Sequence, residues 1–341
     1  DRLRTEGIST ARVNSLYELK LTSSAELIAG VRACENGRLF EDNYAEQMAG
    51  QHGVAMARRF CQRSPQLGGM VAARTWHLDS TLNNYVASGG RDIVIVGVGW
   101  DMRPFRLPLP SGTRVYELDF PTTLAERARR LGQLEISEQP GVIRYQIPID
   151  VRSMALAPTL AEHLEENAGA LVIWEGMSMY FQEAEVRKIL AGMMPILRRP
   201  NSLLWVDLVD RQAIDHPEQF PDSVRNFMRG MQILGEPFTF GPADVGEFMN
   251  SAALEPLEVI PSDICFFGEK DPVYSIYKFC VASAEDSLDT HFANSFHRRR
   301  IDRKSRLPGP ASTPSTNPLK TNTPHSPRNV VTERGSARDY E

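Results

Sequence analysis

The sequence contains few cysteines, no long apolar run and no excess of basic residues. Its four cysteines (Cys34, Cys61, Cys265 and Cys280) form no C-x-x-C pair, so neither a metal site nor a disulfide framework is indicated. No apolar run approaches the ~20 residues of a membrane span, and no signal-peptide pattern is present. A net charge of −5 and a pI near 5.9 argue against nucleic acid as the main partner. We therefore expect a cytoplasmic protein with no metal, membrane or nucleic-acid partner. Because the chain begins with Asp1 rather than Met, we also expect that a few leading residues are missing.

A glycine turn between two apolar segments is the most informative feature of the chain. The segment Ile93–Gly97 is predicted to be a buried strand that runs into Gly97-Val98-Gly99, and a second strand, Val115–Leu118, ends at Asp119. Glycines after a first strand let a ligand approach the backbone, because no Cβ stands in the way. An acid after the second strand can accept both ribose hydroxyls of a nucleoside. The pattern predicts a doubly wound α/β domain that binds a nucleoside-containing cofactor.

The same turn bears on which cofactor that is. The dinucleotide fingerprint G-x-G-x-x-G needs a third glycine where this chain has Met102, and Asp101 would repel a pyrophosphate. A cofactor with ribose and adenine but without phosphate fits better. S-adenosylmethionine is the commonest such cofactor, and it is favoured over a nicotinamide dinucleotide.

Two further strands also end in acids. The strand Ile143–Ile147 leads to Asp150, which could accept from the exocyclic amine of an adenine while Val151 packs on the ring. The strand Leu171–Trp174 leads to Glu175. In doubly wound sheets ligands bind at the carboxyl ends of the strands. A single acid there is commonly a solvated strand end, but acids that close three successive βα units point to a binding site.

These residues together resemble a known motif series. The matching segments are Arg74-Thr75, Gly97-Val98-Gly99-x-Asp101, Glu117-Leu118-Asp119-Phe120-Pro121, Asp150-Val151 and Glu175-Gly176-x-x-x-Tyr180. The series resembles that of leucine carboxyl methyltransferase-type enzymes, including bacterial relatives that methylate small molecules such as polyketides. The resemblance begins in Ser24–Gly50 and extends to about Ser283. It implies S-adenosylmethionine as cofactor and a class I methyltransferase Rossmann-like fold, an α/β fold with a mostly parallel seven-stranded sheet.

The resemblance also implies a role for each matching residue. By motif, Arg74 would hold the methionyl carboxylate and Glu175 the methionyl amine, Gly97 and Gly99 would line the cofactor, Asp119 would bind the ribose, and Asp150 and Val151 would meet the adenine edge. Arg32 falls near a basic position of the leader that contacts the carboxylate in this family. The chain departs from the pattern at Met102, where Thr is common, and at Asn43, where Pro is usual. These departures bear on the acceptor more than on the cofactor.

The composition divides the chain into regions. We predict a helical N-terminal extension over 1–90, a methyltransferase domain over 91–283 that ends with the strand Val273–Val281, and a disordered basic and Pro/Ser/Thr-rich tail over 284–341. The segment 210–241 follows a fifth strand, Leu203–Leu208, and is rich in Met and Phe. It is either a helical lid over the acceptor or an ordinary amphipathic helix that packs on the core.

Methyl transfer to oxygen requires that the acceptor be held in line with the methyl group and that water be excluded. Tyr180 could orient the acceptor or place its ring against the sulfonium. His77, one helical turn after Arg74, is a candidate base, although a core or surface histidine is the commoner explanation. A small-molecule carboxyl acceptor is favoured, because the family typically works without a dedicated base. A phenolic hydroxyl, a protein C-terminal carboxylate and a catalytically silent cofactor-binding module remain alternatives, and the chain is either a monomer or a homodimer.

Overall fold

The computed structural model describes residues 24–153, 156–161, 163–165, 168–233, 235–265 and 270–305. These residues form a seven-stranded sheet with helices on both faces. The strands are β1 Asp92–Val96, β2 Arg114–Asp119, β3 Ile143–Pro148, β4 Ala170–Trp174, β5 Leu203–Val209, β6 Leu254–Pro261 and β7 Tyr277–Ala284. The helices are α1 (residues 24–34), α2 Ala45–Arg63, α3 Pro65–Ala87, α4 Arg103–Arg106, α5 Pro121–Gln133, α6 Leu156–Leu160, α7 Glu183–Leu197, α8 Arg211–Asp215, α9 Asp222–Ile233, α10 Val245–Ser251, α11 Pro272–Ile276 and α12 Thr290–Ser305. None of the described helices has the length and apolar character needed to cross a bilayer.

The strand order is β3-β2-β1-β4-β5-β7-β6, and only β7 runs antiparallel to its neighbours. The central strands β1, β4 and β5 are buried along their whole length, as expected for mostly apolar runs covered on both faces, whereas the edge strand β3 is partly exposed. In β1, for example, Ile93 and Ile95 join the core beneath α3, while Val94 and Val96 join the core beneath α7. The predicted α/β fold with a mostly parallel seven-stranded sheet is confirmed.

The strand order changes direction between β1 and β4, which is the point where ligands bind in such sheets. The carboxyl ends of β3, β2, β1 and β4 lie side by side at that edge, about 4.8 Å apart per strand. The residues that follow these four strands therefore lie in a row about 14 Å long.

The predicted beginning of the last strand, Val273–Val281, is wrong. Residues Pro272–Ile276 form α11, and the strand starts at Tyr277. Asp271 caps this helix, because its side chain accepts a hydrogen bond from the backbone N–H of Val273 at 2.9 Å, and Pro272 suits the first helical turn.

The prediction of a disordered tail over 284–341 is wrong for residues 290–305, which form α12. Phe292 and Phe296 are buried, and the ring of Phe292 packs edge-on against Tyr85 of α3 at 5.8 Å between centroids. A pair of aromatic residues at i and i+4 gives this otherwise basic helix an apolar side. Residues 306–341 of the predicted tail, and residues 1–23 of the predicted extension, lie outside the described residues.

Candidate active site

A cavity opens at the carboxyl ends of β1, β2 and β4, beneath α1. Most of the residues predicted to bind a cofactor line it. They are Arg32, Arg74, Gly97, Gly99, Asp119 and Glu175, and Tyr180, which was predicted to be catalytic, lines the cavity as well. Helix α1 covers one side, and its residues Ala25, Ile28 and Arg32 recur at helical spacing along the cavity wall.

The glycine turn after β1 adopts backbone conformations that favour glycine. Gly97 has φ +74° and Gly99 has φ +43°. A Cβ at Gly97 would lie 2.1 Å from Sδ of Met177, so a side chain there would meet both steric and conformational strain. The backbone N–H of Gly99 donates to Oδ2 of Asp119 at 2.9 Å, which ties the turn to the end of β2.

Asp119 is half-buried and faces the cavity. Its Oδ1 accepts a hydrogen bond from the backbone N–H of Phe120 at 2.7 Å, so the two N–H donors fix the plane of the carboxylate. Burial raises the pKa of Asp119. Each carboxylate oxygen has two lone pairs, so the group retains capacity to accept two further hydrogen bonds from the cavity side. This geometry suits a vicinal diol.

Glu175 lies at the end of β4 among three guanidinium groups. Its Oε1 lies 2.7 Å from Nη2 of Arg32 and 2.8 Å from Nε of Arg74, and its Oε2 lies 2.7 Å from Nη1 of Arg103. Burial alone would raise the pKa of Glu175, but the guanidinium groups of Arg103, Arg32 and Arg74 hold it well below its usual range. Such a cluster can bind an amino acid, because the guanidinium groups can pair with its carboxylate and Glu175 can accept its ammonium group.

A second buried network holds Arg74. Its Nη1 lies 3.3 Å from Oδ2 of Asp207 on β5 and 3.1 Å from the hydroxyl of Tyr277 on β7. Oδ1 of Asp207 accepts the backbone N–H of Gly176 at 2.7 Å. Burial raises the pKa of Asp207. Sequence reasoning missed Asp207, although a lone acid inside the apolar strand LLWVDLV is a recognisable signal.

A third network fixes the glycine turn from behind. Arg127 of α5 is fully buried and donates to the backbone carbonyls of Gly99 at 3.1 Å and Asp101 at 2.6 Å. Its Nη2 also donates to Oε1 of Glu117 at 2.8 Å. Burial alone would raise the pKa of Glu117, but Arg127 and Arg144 lower it to about 2.

Asp150 and Val151 follow β3, next to Asp119 in the row of strand ends, but they are not among the residues that line the cavity. Asp150 is partly exposed and accepts hydrogen bonds from the backbone N–H and Nε of Arg152, at 3.0 and 3.1 Å. Val151 packs at the margin of the core beneath α7. Their predicted contact with adenine stays a prediction.

His77 does not reach the cavity, which corrects its predicted place beside the methyl site. The side chain is fully buried and stacks on Phe279 with 5.1 Å between ring centroids. Its Nδ1 accepts a hydrogen bond from Nε1 of Trp205 at 2.9 Å, and its Nε2 lies 3.4 Å from Oε2 of Glu258. Positions 74 and 77 share one side of α3, but Arg74 meets the carboxyl end of the sheet while His77 meets the side chains of β5 and β7. The core interpretation therefore holds.

Tyr180 lies at the rim of the cavity, in the short 3-10 turn Ser178–Tyr180. Its ring packs on Phe238, with 5.7 Å between centroids. The backbone N–H of Thr239 donates to the carbonyl of Met179 at 2.8 Å, so the end of the 210–241 segment is attached to the turn that carries Tyr180.

Comparison with known proteins shows which family the chain resembles. Residues 25–194 match the model of the leucine carboxyl methyltransferase family. Two relatives have S-adenosyl-L-methionine-dependent methyltransferase as their provisional name. The protein from Mycobacteroides abscessus is 27% identical over 206 residues, which span 55% of this chain and 67% of the relative, and one from Mycolicibacterium paratuberculosis is 30% identical over 176 residues, which span 49% and 54%.

Two solved structures align over most of their length. A provisionally named methyltransferase from Thermobifida fusca is 14% identical, with a TM-score of 0.48 over 76% of this chain and 94% of that one. The magnesium protoporphyrin IX methyltransferase of Synechocystis PCC 6803, solved with bound SAH, is 12% identical, with a TM-score of 0.43 over 69% and 95%. On the family match and the named relatives, the chain belongs to the leucine carboxyl methyltransferase family of S-adenosylmethionine-dependent methyltransferases.

Proposed function

We propose that this chain transfers the methyl group of S-adenosylmethionine to a carboxylate oxygen of a small apolar or aromatic molecule. The observation that carries the proposal is the set of ionisable groups around the cavity. Apart from arginines, the described lining residues with ionisable side chains are Asp101, Asp119, Glu175 and Tyr180. Asp101 and Glu175 are bound to arginines, and Asp119 is bound by backbone N–H groups. None of these acids is placed as a base, and a carboxylate acceptor needs none because it is already ionised near neutral pH.

The residues around the cavity fit the cofactor. Nε of Arg32 is buried and has no hydrogen-bond partner among the described residues, which supports a role for Arg32, together with Arg74, in binding the methionyl carboxylate. Glu175 would accept the methionyl amine and Asp119 the ribose hydroxyls. Gly97 and Gly99 would allow close approach of the backbone, and Asp150 with Val151 would complete the adenine end. The bound cofactor supplies an electrophilic methyl carbon, and the protein contributes alignment and exclusion of water.

The rim of the cavity supports an apolar acceptor. The ring of Tyr180 packs on Phe238, which in turn contacts Phe227 of α9 at 6.2 Å between ring centroids. No hydrogen bond among the described residues involves the hydroxyl of Tyr180, so this group can donate to an acceptor oxygen. Ser24 of α1 donates to Oε1 of Glu236 at 2.7 Å, which links α1 to the 210–241 segment. We assign that segment as the cover of the acceptor.

The pH dependence of the rate tests the acceptor class. Matched pairs of aromatic compounds, a carboxylic acid and the corresponding phenol, are offered with S-adenosylmethionine, and release of S-adenosylhomocysteine is followed from pH 6 to 8. A carboxylate acceptor is ionised throughout this range, so we expect turnover of the acids with a nearly flat rate. Turnover of the phenols with a rate that rises with pH would overturn the proposal and indicate a hydroxyl O-methyltransferase.

The same assay distinguishes the remaining alternatives. A peptide with a free C-terminal carboxylate is offered as a protein-like acceptor, and we expect no turnover because the sequence resembles the bacterial small-molecule branch. Turnover of the peptide would identify a protein carboxyl methyltransferase. Cofactor binding without turnover of any acceptor would favour a silent regulatory module.

A further inference from the structure

Arg103 is a buried arginine of the site that does not line the cavity. It begins α4, two residues after Asp101 of the glycine turn, and its side chain is fully buried. Its Nη1 lies 2.7 Å from Oε2 of Glu175, whereas Arg32 and Arg74 contact Oε1. Arg103 therefore contacts the predicted amine ligand without lining the cavity.

Several hydrogen bonds hold Arg103 in one orientation. Its Nε donates to Oδ1 of Asp79 at 2.7 Å, and its Nη1 also donates to Oδ2 of Asp101 at 2.6 Å. Its backbone N–H donates to Oδ1 of Asp101 at 2.8 Å. A guanidinium group bound to three carboxylates has little freedom to leave any of them.

Arg32 and Arg74 differ from Arg103 in this respect. Both line the cavity, and both bind Oε1 of Glu175, the oxygen that Arg103 does not contact. The two oxygens of Glu175 are thus divided between one fully enclosed arginine and two that face the ligand space.

We propose that Arg103 is a positioning residue that keeps Glu175 ionised and oriented when Arg32 and Arg74 turn to the methionyl carboxylate. A carboxylate in a buried site needs a counter-charge, and without one it is strongly disfavoured. With Arg103 in place, Oε1 is released to receive the methionyl ammonium group. Without Arg103, both cavity-facing arginines are needed to neutralise Glu175, so Glu175 competes with the incoming methionyl carboxylate for them. The proposal rests on the family's cofactor and not on the acceptor.

The test compares two ligands that differ only at the amino-acid end. S-adenosylhomocysteine carries the amino acid, whereas 5′-methylthioadenosine carries the same adenosine and sulfur without it. Calorimetric titration of Arg103→Met should give a Kd for S-adenosylhomocysteine about 10- to 100-fold above wild type, corresponding to one charge-assisted hydrogen bond. The Kd for 5′-methylthioadenosine should change less than about twofold.

Arg106→Met is the matched control. Arg106 lies one turn further along α4, has a side chain that is only 5% exposed, and binds Asp79 with Nη1 at 2.7 Å, but it does not contact Glu175. We expect this variant to have a lower thermal stability but no selective loss of affinity for S-adenosylhomocysteine. Arg103→Lys, which keeps the charge but not the fork of donors, should show the selective loss at a smaller fold-change and serves if Arg103→Met does not fold.

Two results would overturn the proposal. One is an unchanged affinity of the Arg103 variants for S-adenosylhomocysteine, and the other is an equal loss for both ligands, which would indicate a general structural role. Failure of the wild-type protein to bind S-adenosylhomocysteine would instead contradict the cofactor, so the two failures are distinguishable.

Discussion

Replacement of Asp119 by alanine tests the ribose end of the site. The carboxylate is held by the backbone N–H groups of Gly99 and Phe120 and can accept two further hydrogen bonds from the cavity side. A hydrogen bond to a charged group is worth about 1.5–3 kcal/mol. Loss of two such bonds at the lower value costs about 3 kcal/mol, which corresponds to about 100-fold in Kd.

Calorimetric titration measures this change directly. Because both ligands carry the ribose, Asp119→Ala should weaken S-adenosylhomocysteine and 5′-methylthioadenosine equally, which is the opposite of the pattern expected for Arg103. Asp244→Ala is the control, since Asp244 also accepts a backbone N–H, that of Glu247 at 2.7 Å, but caps α10 outside the cavity lining. An unchanged Kd, or a loss confined to S-adenosylhomocysteine, would refute the ribose assignment.

Three further predictions concern stability and the corrected residues. His77→Ala removes a buried hydrogen-bond acceptor and leaves a cavity, so it should lower the free energy of unfolding by about 2–4 kcal/mol yet change kcat less than about twofold. A loss of kcat on the order of 10²-fold would instead support the interpretation of His77 as a base. Truncation after Ser287 removes Phe292 and Phe296 from the core, at about 3–5 kcal/mol each, so Tm should fall sharply, and an unchanged Tm would show that α12 contributes nothing. The pKa of Glu117 is lowered from 4.5 to about 2, so its contribution to stability is complete above pH 4.5 and is lost as the pH falls towards 2. In acid denaturation, Glu117→Gln should make the free energy of unfolding depend less on pH between 4.5 and about 2. An acid-denaturation curve identical to that of the wild type would contradict this prediction.

The sequence alone was sufficient to predict which residues lie at the carboxyl ends of the strands. Glu175 follows a continuous apolar run, and Asp119 follows the segment 115–118, which is apolar apart from Glu117. Both patterns predict buried strands, and parallel strands bring their carboxyl ends to one edge. The glycine turn was recognisable for the same reason, because Gly97 and Gly99 interrupt the pattern at a strand end.

Contacts between distant segments could not be read in the same way. Arg103 binds Asp79 and Glu175, which lie on other elements, and nothing in the local pattern predicts that pairing. His77 was misplaced because helical spacing from Arg74 gives a shared side but not the neighbour that each position meets. The apolar side of α12 depends on only two residues, Phe292 and Phe296, within a strongly basic run. In that helix tertiary packing outweighs composition.

The chemical nature of the bond that is formed tests the central proposal most directly. S-adenosylmethionine with a labelled methyl group is incubated with the protein and a panel of small aromatic and apolar carboxylic acids, and the products are treated with mild base. A methyl ester releases its label as volatile methanol, whereas a methyl ether keeps it. Carboxyl transfer predicts that the label becomes volatile; label that stays with the acceptor after base treatment would contradict it.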